Sequence, residues 1–307
     1  MNTELIKSVF RSHGVEEIKL DEPLSRYTTW RIGGPADVYV APRNVSELQG
    51  SIRAAKELGI PWLVLGRGSN TLMQDGGYKG LVIRLADNLA HIEVSGERII
   101  AEGGRSFVSA ANIAIRHNLA GLEMATGIPG SVGGAVMMNA GAHGAEVKDV
   151  LEWADVVDGD GTVIRMTNRD LRFDYRYSTL KDHPMVVAKA CFLLQPGNGE
   201  ELAAKVKQWS QRRAQTQPLS LPSCGSVFRN PPGTHAGYLI ESAGLKGLRK
   251  GDAQISEKHA NFIVNVGNAK AEDVLWLMHH AQATVREKFG VELETEVRIL
   301  GVPALRR

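Results

Sequence analysis

The stretch TGIPGSVGGAVMMNAGAHG, residues 126–144, carries six glycines with apolar residues between them. It is too interrupted by glycine to form one helix and too apolar to be a disordered linker. Glycine accepts positive φ angles and lets the main chain approach another group closely. The pattern therefore predicts a folded loop whose main chain lies against a ligand or another segment.

A second glycine-rich turn, GRGSN at residues 66–70, directly follows IPWLVL, an apolar run typical of a strand buried on both faces. Main-chain N–H groups in such a turn can cradle a phosphate. Taken alone, a plain tight turn is the better interpretation, because Thr71 replaces the third glycine of a dinucleotide fingerprint. Two such turns in one half of the chain can bracket a pyrophosphate, however, and together they favour a dinucleotide.

Composition indicates an ordinary soluble globular protein. The 307 residues are 43% hydrophobic and 23% charged, with a net charge of +2. No basic tail suggests nucleic acid, and no stretch approaches the roughly 20 apolar residues of a membrane span. The N-terminus lacks a signal-peptide pattern, so we expect a cytoplasmic protein. Cys191 and Cys224 provide neither a disulfide framework nor a metal site.

The two halves of the chain differ in their predicted elements. The first half is rich in strands, with hairpins at HIEVSGERIIAEGG and WADVVDGDGTVIRM and a strand at MVVAKACFLL. Predicted helices span 46–58, with a capping box from Ser46 to Gln49, and 106–118; after residue 200 they span 200–215, 236–243 and 271–289. FIVNV is a strand, and TEVRILG is a final strand that could join either half. The class is α+β, with QPGNGEE as a linker and a boundary near Gly197.

Several polar residues are candidates for a site. PSCGSVFRNP places Cys224 near Ser226, but no paired base is identifiable, so an inert buried thiol is the better interpretation. Ser226 follows a glycine that would leave its hydroxyl accessible. Arg176 lies between two tyrosines in FDYRYS, which is unusual for a solvated arginine and suits an anion or an aromatic stack. Glu294 and Glu296 share one face of the last strand, where a solvent face is the simpler explanation.

The ordered set GRGSN, GIPGSVGGAVMMNAGA, YRYS, CGSVFRNP, AGYLIESAGLKG, HANFIVN and ETEVRILG closely resembles the UDP-N-acetylenolpyruvoylglucosamine reductase family from about residue 24 to 301. The resemblance implies an FAD-binding domain of the vanillyl-alcohol-oxidase (PCMH) type over 1–197, in subdomains of about 24–85 and 86–197. A smaller α+β substrate-binding domain would cover 198–293, and a C-terminal strand, 294–307, would return towards the active site. The chain resembles the shorter subclass, which lacks a substrate-covering insertion.

The same resemblance implies non-covalent FAD, with NADPH as hydride donor and the enolpyruvyl UDP-sugar as substrate. The implied cofactor-binding residues are Gly66, Arg67, Gly68, Ser69, Asn70, Gly127, Ile128, Pro129, Gly130, Ser131, Gly133, Gly134, Ala135, Asn139, Ala140 and Gly141. His143 is the nearest candidate for a covalent flavin link, and we expect none.

Carried over by position, the catalytic residues are Arg176, Ser226 and Glu296. The flavin would deliver hydride to C3 of the enol ether. Arg176 and a protonated Glu296 would then stabilise charge on the substrate carboxylate, and Ser226 would give a proton to C2. The implied substrate-binding residues are Tyr175, Arg213, Asn230, Lys246 and His259.

Two other functions remain open at this stage. A related flavin oxidase would use O₂ on another substrate, and a non-catalytic flavin- or UDP-sugar-binding module would bind ligands without turnover. We expect a monomer without nucleic-acid or membrane partners. NADPH against NADH preference, activating cations and regulation are not encoded in any recognisable motif.

Overall fold

The computed structural model describes residues 2–86 and 88–304. The chain forms two compact units. The first comprises Met1–Leu20, Val38–Arg67 and Gly80–Gln211, and the second comprises Asp21–Asp37, Gly68–Lys79 and Arg212–Arg307. This division differs from the predicted one at 197 and 293, because two N-terminal segments belong with the C-terminal unit. Trp30 shows why: its indole N–H donates to the carbonyl of Ile263 at 2.7 Å.

The described residues form both helices and strands. The helices are α1 (Thr3–Ser12), α2 (Val45–Glu57), α3 (Phe107–Arg116), α4 (Val132–Met137), α5 (Gly199–Thr216), α6 (Ala236–Ser242) and α7 (Ala271–Phe289). The strands are β1 (Lys19–Pro23), β2 (Pro35–Val40), β3 (Trp62–Leu65), β4 (Thr71–Met73), β5 (Tyr78–Arg84), β6 (Ile92–Ser95), β7 (Arg98–Glu102), β8 (Leu119–Ala120), β9 (Gly141–Ala142), β10 (Ala145–Glu146), β11 (Leu151–Val157), β12 (Val163–Thr167), β13 (Val186–Leu193), β14 (Gln195–Pro196), β15 (Arg249–Lys250), β16 (Ala253–Ile255), β17 (Ile263–Asn265) and β18 (Arg298–Leu300).

The two largest sheets among the described residues have four and five strands. One has the order β1-β2-β5-β3, and a five-stranded sheet has the order β12-β11-β13-β7-β6. Both predicted hairpins are confirmed as antiparallel pairs, β6 with β7 and β11 with β12. The prediction that β3 is buried on both faces is wrong. Leu63 and Leu65 are buried while Trp62 and Val64 are only half-buried, because β3 is the edge of its sheet.

Among the described residues, apolar side chains form three buried clusters. Within the first unit, one cluster joins α1 and α2 to β2 and β5, with Phe10 and Ile52 fully buried. Another joins α3 and α4 to the five-stranded sheet, with Phe107 and Phe192 at its centre. The second unit has its own cluster around α6 and α7. Two of these clusters therefore lie in the first unit and one lies in the second.

The predicted start of α2 is corrected by its cap. Asn44, rather than Ser46, precedes the helix, and its side-chain oxygen accepts the N–H of Glu47 at 2.9 Å. The Glu47 carboxylate in turn accepts the N–H of Arg43 at 2.9 Å. Both asparagine and serine are good cap residues, so the sequence alone did not discriminate between them.

The segment QPGNGEE is not a free linker. Its strand β14 pairs with β8, and the N–H of Gly199 donates to the side-chain oxygen of Asn118 at 3.0 Å. A Cβ atom on Gly199 would lie 2.5 Å from that same oxygen. The glycine permits close packing here, so its presence does not mark a domain boundary.

The last strand joins the second unit. β18 pairs in parallel with β4, and Ile299 lies opposite Leu72. The strand begins at Arg298, so Glu294 and Glu296 lie before it. No helix among residues 2–86 and 88–304 is both long enough and apolar enough to cross a bilayer.

Candidate active site

The two glycine-rich turns predicted to act together do meet within the first unit. A Cβ atom placed on Gly66 would lie 2.5 Å from the hydroxyl oxygen of Ser131. No side chain larger than hydrogen therefore fits at residue 66 without moving Ser131. That serine is buried and caps α4 by accepting the N–H of Gly134 at 3.2 Å. The main chain of one turn thus lies directly against the cap of the other.

Hydrogen bonds inside the glycine segment narrow the choice of groups available for a ligand. The N–H of Val132 donates to the carbonyl of Arg105 at 2.8 Å, and that of Gly133 donates to the carbonyl of Gly103 at 2.8 Å. Main-chain N–H groups of this turn that could bind a phosphate therefore lie before Val132. A Cβ atom on Gly127 would have nothing within 4 Å, so open space adjoins the turn there. Tight backbone contact beside open space fits the diphosphate of a dinucleotide.

We expect Gly66→Ala to lower FAD content, because the new methyl group would displace Ser131 or the turn itself. Overpacking of this kind typically costs about 1–3 kcal/mol, which corresponds to roughly 5- to 150-fold in affinity. Flavin titration of the apoprotein, followed by visible absorbance, checks it. Gly159→Ala is the control, since its Cβ would approach only Pro184, at 3.3 Å. Unchanged FAD affinity in Gly66→Ala would contradict the assignment.

The second half of GRGSN is built into the second unit. Gly68 has φ +63°, and a Cβ atom there would lie 2.3 Å from the carbonyl oxygen of Tyr27. The side-chain amide of Asn70 donates to the carbonyl of Glu296 at 3.1 Å. The carbonyl of Asn70 accepts the N–H of Arg298 at 3.1 Å. Asn70, at the end of this turn, is thus hydrogen-bonded to Glu296 and Arg298, the two residues that flank Val297.

Ser226 and Glu296 lie on adjoining segments of the second unit. Phe228 and Thr295 form an antiparallel bridge, and the N–H of Glu296 donates to the carbonyl of Val227 at 2.8 Å. The turn before Ser226 requires Gly225, which has φ +81°. Two residues far apart in sequence are therefore brought together by main-chain pairing.

Asn261 holds the Ser226 segment in place and was not predicted. Its side-chain amide donates to the carbonyl of Phe228 at 2.8 Å, and its side-chain oxygen accepts the N–H of the same residue at 3.0 Å. The side chain thereby pairs like a strand neighbour and is almost fully buried. Its place in HANFIVN, just before an apolar strand, was the available sequence signal.

The environment of Cys224 agrees with the interpretation of an inert thiol. Burial raises its pKa well above the ordinary value, and the carboxylate of Glu296 raises that pKa further. Burial also raises the pKa of Cys191 to about 12, with a contribution from its bond to Glu152. Both thiols are buried.

We expect neither thiol to react in the native protein at pH 8. A thiol with a pKa about 4 units above the working pH is ionised in roughly one molecule in ten thousand, and only the thiolate is the nucleophile. Titration with an aromatic disulfide reagent should detect both thiols only after unfolding in guanidinium. Rapid labelling of one thiol in the folded protein would contradict this.

Arg176 occupies the tip of a tight turn in the first unit. Asp174 and Tyr177 pair with each other, which leaves Tyr175 and Arg176 between them. Arg176 has φ +55°, uncommon for a residue with a side chain. Its guanidinium lies 4.9 Å from the ring centroid of Tyr175 and donates to the carbonyl of Gly141 at 3.3 Å. The arginine thus contacts the end of the glycine segment.

The residues predicted to bind substrate occupy both units. Tyr175 is exposed and stacks with Arg176. In the second unit, burial lowers the pKa of Arg213, and Lys246 is ion-paired with Glu241 at 2.7 Å. The side-chain oxygen of Asn230 caps α6 by accepting the N–H of Ala236 at 3.2 Å.

His259 is held in one orientation. Its Nδ1 accepts the N–H of Asn261 at 3.2 Å, so the neutral ring carries its proton on Nε2. Burial lowers its pKa, and the charge of Lys246 adds to that effect. A neutral N–H donor is therefore the form that this ring would offer a ligand.

His143 contacts α5. Its ring stacks on Trp209 with centroids 3.9 Å apart and planes 7° from parallel. Trp209 also lies under the ammonium of Lys205, 4.8 Å from the ring centroid. A tryptophan on a helix that is otherwise mostly exposed was the signal that sequence reasoning missed.

Two family models match separate parts of the chain. Residues 36–167 match the family model for an FAD binding domain, and residues 217–300 match the model for the C-terminal domain of UDP-N-acetylenolpyruvoylglucosamine reductase. The fold also resembles that of a variant of berberine bridge enzyme, with a TM-score of 0.51 and 13% identity over 73% of this chain and 51% of that one. Fold and domains define an FAD-containing oxidoreductase with a PCMH-type cofactor domain.

Relatives define the family. The UDP-N-acetylenolpyruvoylglucosamine reductase of Rubrobacter xylanophilus is 50% identical over 286 residues, covering 93% of this chain and 96% of the relative. That of Halalkalibacterium halodurans is 47% identical over 298 residues, covering 97% and 99%. The crystal structure of the Thermus caldophilus enzyme superimposes with a TM-score of 0.79 at 38% identity, over 92% of this chain and 98% of that one. The chain belongs to the UDP-N-acetylenolpyruvoylglucosamine reductase family.

Proposed function

We propose that this chain reduces UDP-N-acetylglucosamine enolpyruvate to UDP-N-acetylmuramate with NADPH and bound FAD, a step of peptidoglycan precursor synthesis. Its identity to reductases named for the enolpyruvyl sugar, over almost the whole chain, supports the substrate. The structural observation that carries the proposal is the pairing of the Ser226 and Glu296 segments. This pairing places a hydroxyl and a carboxyl on adjoining segments of the unit that matches the reductase-specific domain.

FAD supplies, when bound, a two-electron carrier that can take a hydride from NADPH and give it to a carbon atom. We assign its diphosphate to the turns at Gly66 and Ser131, where the close backbone approach leaves no room for side chains. The remaining cofactor-binding residues are Arg67, Gly68, Ser69, Asn70, Gly127, Ile128, Pro129, Gly130, Gly133, Gly134, Ala135, Asn139, Ala140 and Gly141.

Arg176 and Glu296 stabilise charge on the substrate. Reduction at C3 of the enol ether puts negative charge on the adjoining carboxylate, and preorganised donors aimed at that charge lower the barrier. Arg176 has a fixed, planar set of donors and is oriented by Tyr175 and Gly141. Glu296, whose main chain is fixed by Val227 and Asn70, is the second residue that we assign to this role.

Ser226 supplies the proton that completes the reaction at C2. Its hydroxyl is half-buried after a glycine turn that no other residue type adopts easily. In water a serine hydroxyl is a poor acid, so this role depends on the charged groups that accompany the substrate.

Tyr175, Arg213, Asn230, Lys246 and His259 bind the UDP-sugar in this proposal. Three of them carry positive charge or a fixed N–H donor, which suits a diphosphate. The chain acts as a monomer in the cytoplasm, where it contributes to cell wall biogenesis and thereby to cell shape and division, without nucleic-acid or membrane partners.

The decisive experiment measures NADPH oxidation by the holoenzyme in the presence of UDP-N-acetylglucosamine enolpyruvate. We expect one NADPH to be consumed for each enolpyruvyl sugar, with UDP-N-acetylmuramate as product by mass spectrometry. Sustained peroxide formation from a small alcohol without NADPH would identify an oxidase instead. Flavin binding without substrate-dependent NADPH consumption would identify a binding module.

A further inference from the structure

Asn139, which follows α4 in the glycine segment, forms its side-chain hydrogen bonds with other parts of the protein. Its side chain is fully buried, and its φ of +43° is unusual for a residue with a side chain. The amide of Asn139 donates to the carboxylate of Glu146 at 3.1 Å and to the carbonyl of Asp174 at 3.0 Å. Its oxygen accepts the N–H of Lys148 at 2.9 Å. The side chain therefore makes three hydrogen bonds within the first unit.

The carbonyl of Asp174 is the base of the turn that carries Arg176. It accepts the N–H of Tyr177 at 3.1 Å, which closes the turn, and the amide of Asn139 at 3.0 Å. A carbonyl oxygen has two lone pairs, so both bonds can be made at once. Asn139 is thus hydrogen-bonded to the turn at Asp174, two residues before the arginine.

Two further bonds run alongside this one. The hydroxyl of Ser178 donates to the carbonyl of Met137 at 2.7 Å, and the guanidinium of Arg176 donates to the carbonyl of Gly141 at 3.3 Å. The contacts on the glycine segment are therefore spaced two residues apart, at 137, 139 and 141. Asn139 makes the central one, and its bond reaches the main chain rather than the arginine itself.

We propose that Asn139 is a positioning residue for Arg176, fixing the turn at Tyr175–Arg176 so that the guanidinium keeps one orientation in the substrate-reducing step. The inference rests on the proposed role of Arg176. A turn with φ +55° at its arginine is unfavourable unless neighbouring groups stabilise it. The buried amide of Asn139 does so through its hydrogen bond to the carbonyl of Asp174. Its contribution to FAD binding is then indirect, through the position of the glycine segment.

Asn139→Asp is the most informative substitution, because it keeps the size and the acceptor but replaces the donor with an oxygen. The new carboxylate would face the Glu146 carboxylate and the Asp174 carbonyl, and two close carboxylates tend to share a proton. Lowering the pH would protonate the new group and restore a donor. The ionisable side chains around it are Glu146, Lys148, Asp149, Asp174 and Arg176.

The test separates the two half-reactions of the holoenzyme under anaerobic conditions. For Asn139→Asp at pH 8 we expect reoxidation of the reduced flavin by the enolpyruvyl sugar to slow by roughly 10²-fold, the usual effect of a small misplacement. Flavin reduction by NADPH should stay within about threefold of the wild type. The ratio of variant to wild-type reoxidation rates should rise as the pH falls from 8 to 6.

Asn139→Gly keeps the test informative if the first variant fails to fold. Glycine suits the positive φ and adds no charge, so we expect slow reoxidation of the flavin that does not recover at low pH. Asn168→Asp is the matched control. Asn168 donates to the carbonyls of Lys148 and Leu151, at 2.7 and 2.8 Å. Its replacement by aspartate makes the same change from amide to carboxylate without touching the carbonyl of Asp174. We expect wild-type reoxidation in that control.

Three outcomes would overturn the inference while leaving the proposed function intact. They are wild-type reoxidation in both Asn139 variants, equal slowing of both half-reactions at every pH, and weaker FAD affinity with normal reoxidation per bound flavin. The third would leave Asn139 with a role in cofactor binding alone. Failure of the wild-type flavin to be reoxidised by the enolpyruvyl sugar would instead overturn the proposed function.

Discussion

The Ser226→Ala variant is expected to bind FAD and accept hydride from NADPH normally, while reduction of the enolpyruvyl sugar falls by about 10²–10⁴-fold, the usual contribution of a general acid. The reason is chemical: the first half-reaction needs no proton from the serine, whereas the second ends with protonation of a carbon atom. The methyl group is smaller than the hydroxymethyl group and introduces no clash in a half-buried position. Rapid-mixing absorbance under anaerobic conditions measures the two half-reactions separately.

Solvent exchange strengthens this test. In deuterium oxide, the wild type should place deuterium at C2 of the product and show a solvent isotope effect on the second half-reaction. Ser223→Ala, three residues earlier in the same segment, is the control and should retain wild-type rates. Normal turnover by Ser226→Ala would remove the serine from its assigned role.

The second large effect is expected for Arg176→Lys. Lysine keeps the positive charge but lacks the planar fork that contacts Gly141 and lies over Tyr175. Loss of one preorganised donor to a developing negative charge typically costs about 10²–10³-fold in rate. We expect that loss in reoxidation of the flavin by substrate, with a smaller change in substrate affinity, in single-turnover measurements over a range of substrate concentrations.

Arg172→Lys provides a closely matched control for this substitution. Arg172 lies in the same loop, is exposed and also has a positive φ, at 43°. Its replacement should leave both half-reactions unchanged within about twofold. An Arg176→Lys variant that loses only affinity, at an unchanged maximal rate, would show that the arginine binds the substrate without stabilising the transition state.

Local structure was largely predictable from the sequence, because its signals lie within a few residues of each other. α7 was predicted at its observed bounds, since Gly290 follows a long periodic pattern and adopts φ +69° to end the helix. Both hairpins were predicted from their turns. The cap of α2 was missed because two competent cap residues lie two positions apart.

Long-range structure was not predictable in the same way. The pairing of β18 with β4, and the assignment of residues 21–37 and 68–79 to the second unit, depend on contacts across more than 200 residues. The sequence of a short strand does not indicate which strand it pairs with, so TEVRILG could not be assigned to either half. The segment QPGNGEE was predicted as a linker for a similar reason. Glycine permits tight packing as readily as flexibility, and the sequence does not show which of the two applies.

The site was predicted only as far as glycine patterns and the resemblance allowed. The two turns were expected to act together, and the contact between Gly66 and Ser131 is consistent with that. The convergence of Ser226 with Glu296 came from the resemblance, because no local pattern links residues 70 positions apart. The role of Asn139 was hidden for the same reason, since one of its partners, Asp174, lies 35 residues away.

The central claim is tested most directly by mixing the anaerobic holoenzyme first with one equivalent of NADPH and then with UDP-N-acetylglucosamine enolpyruvate. We expect the visible absorption band of oxidised flavin to disappear in the first step and to return fully in the second, with UDP-N-acetylmuramate formed in equal amount. A protein that carries no flavin, or a reduced flavin that the enolpyruvyl sugar leaves reduced, would contradict the account.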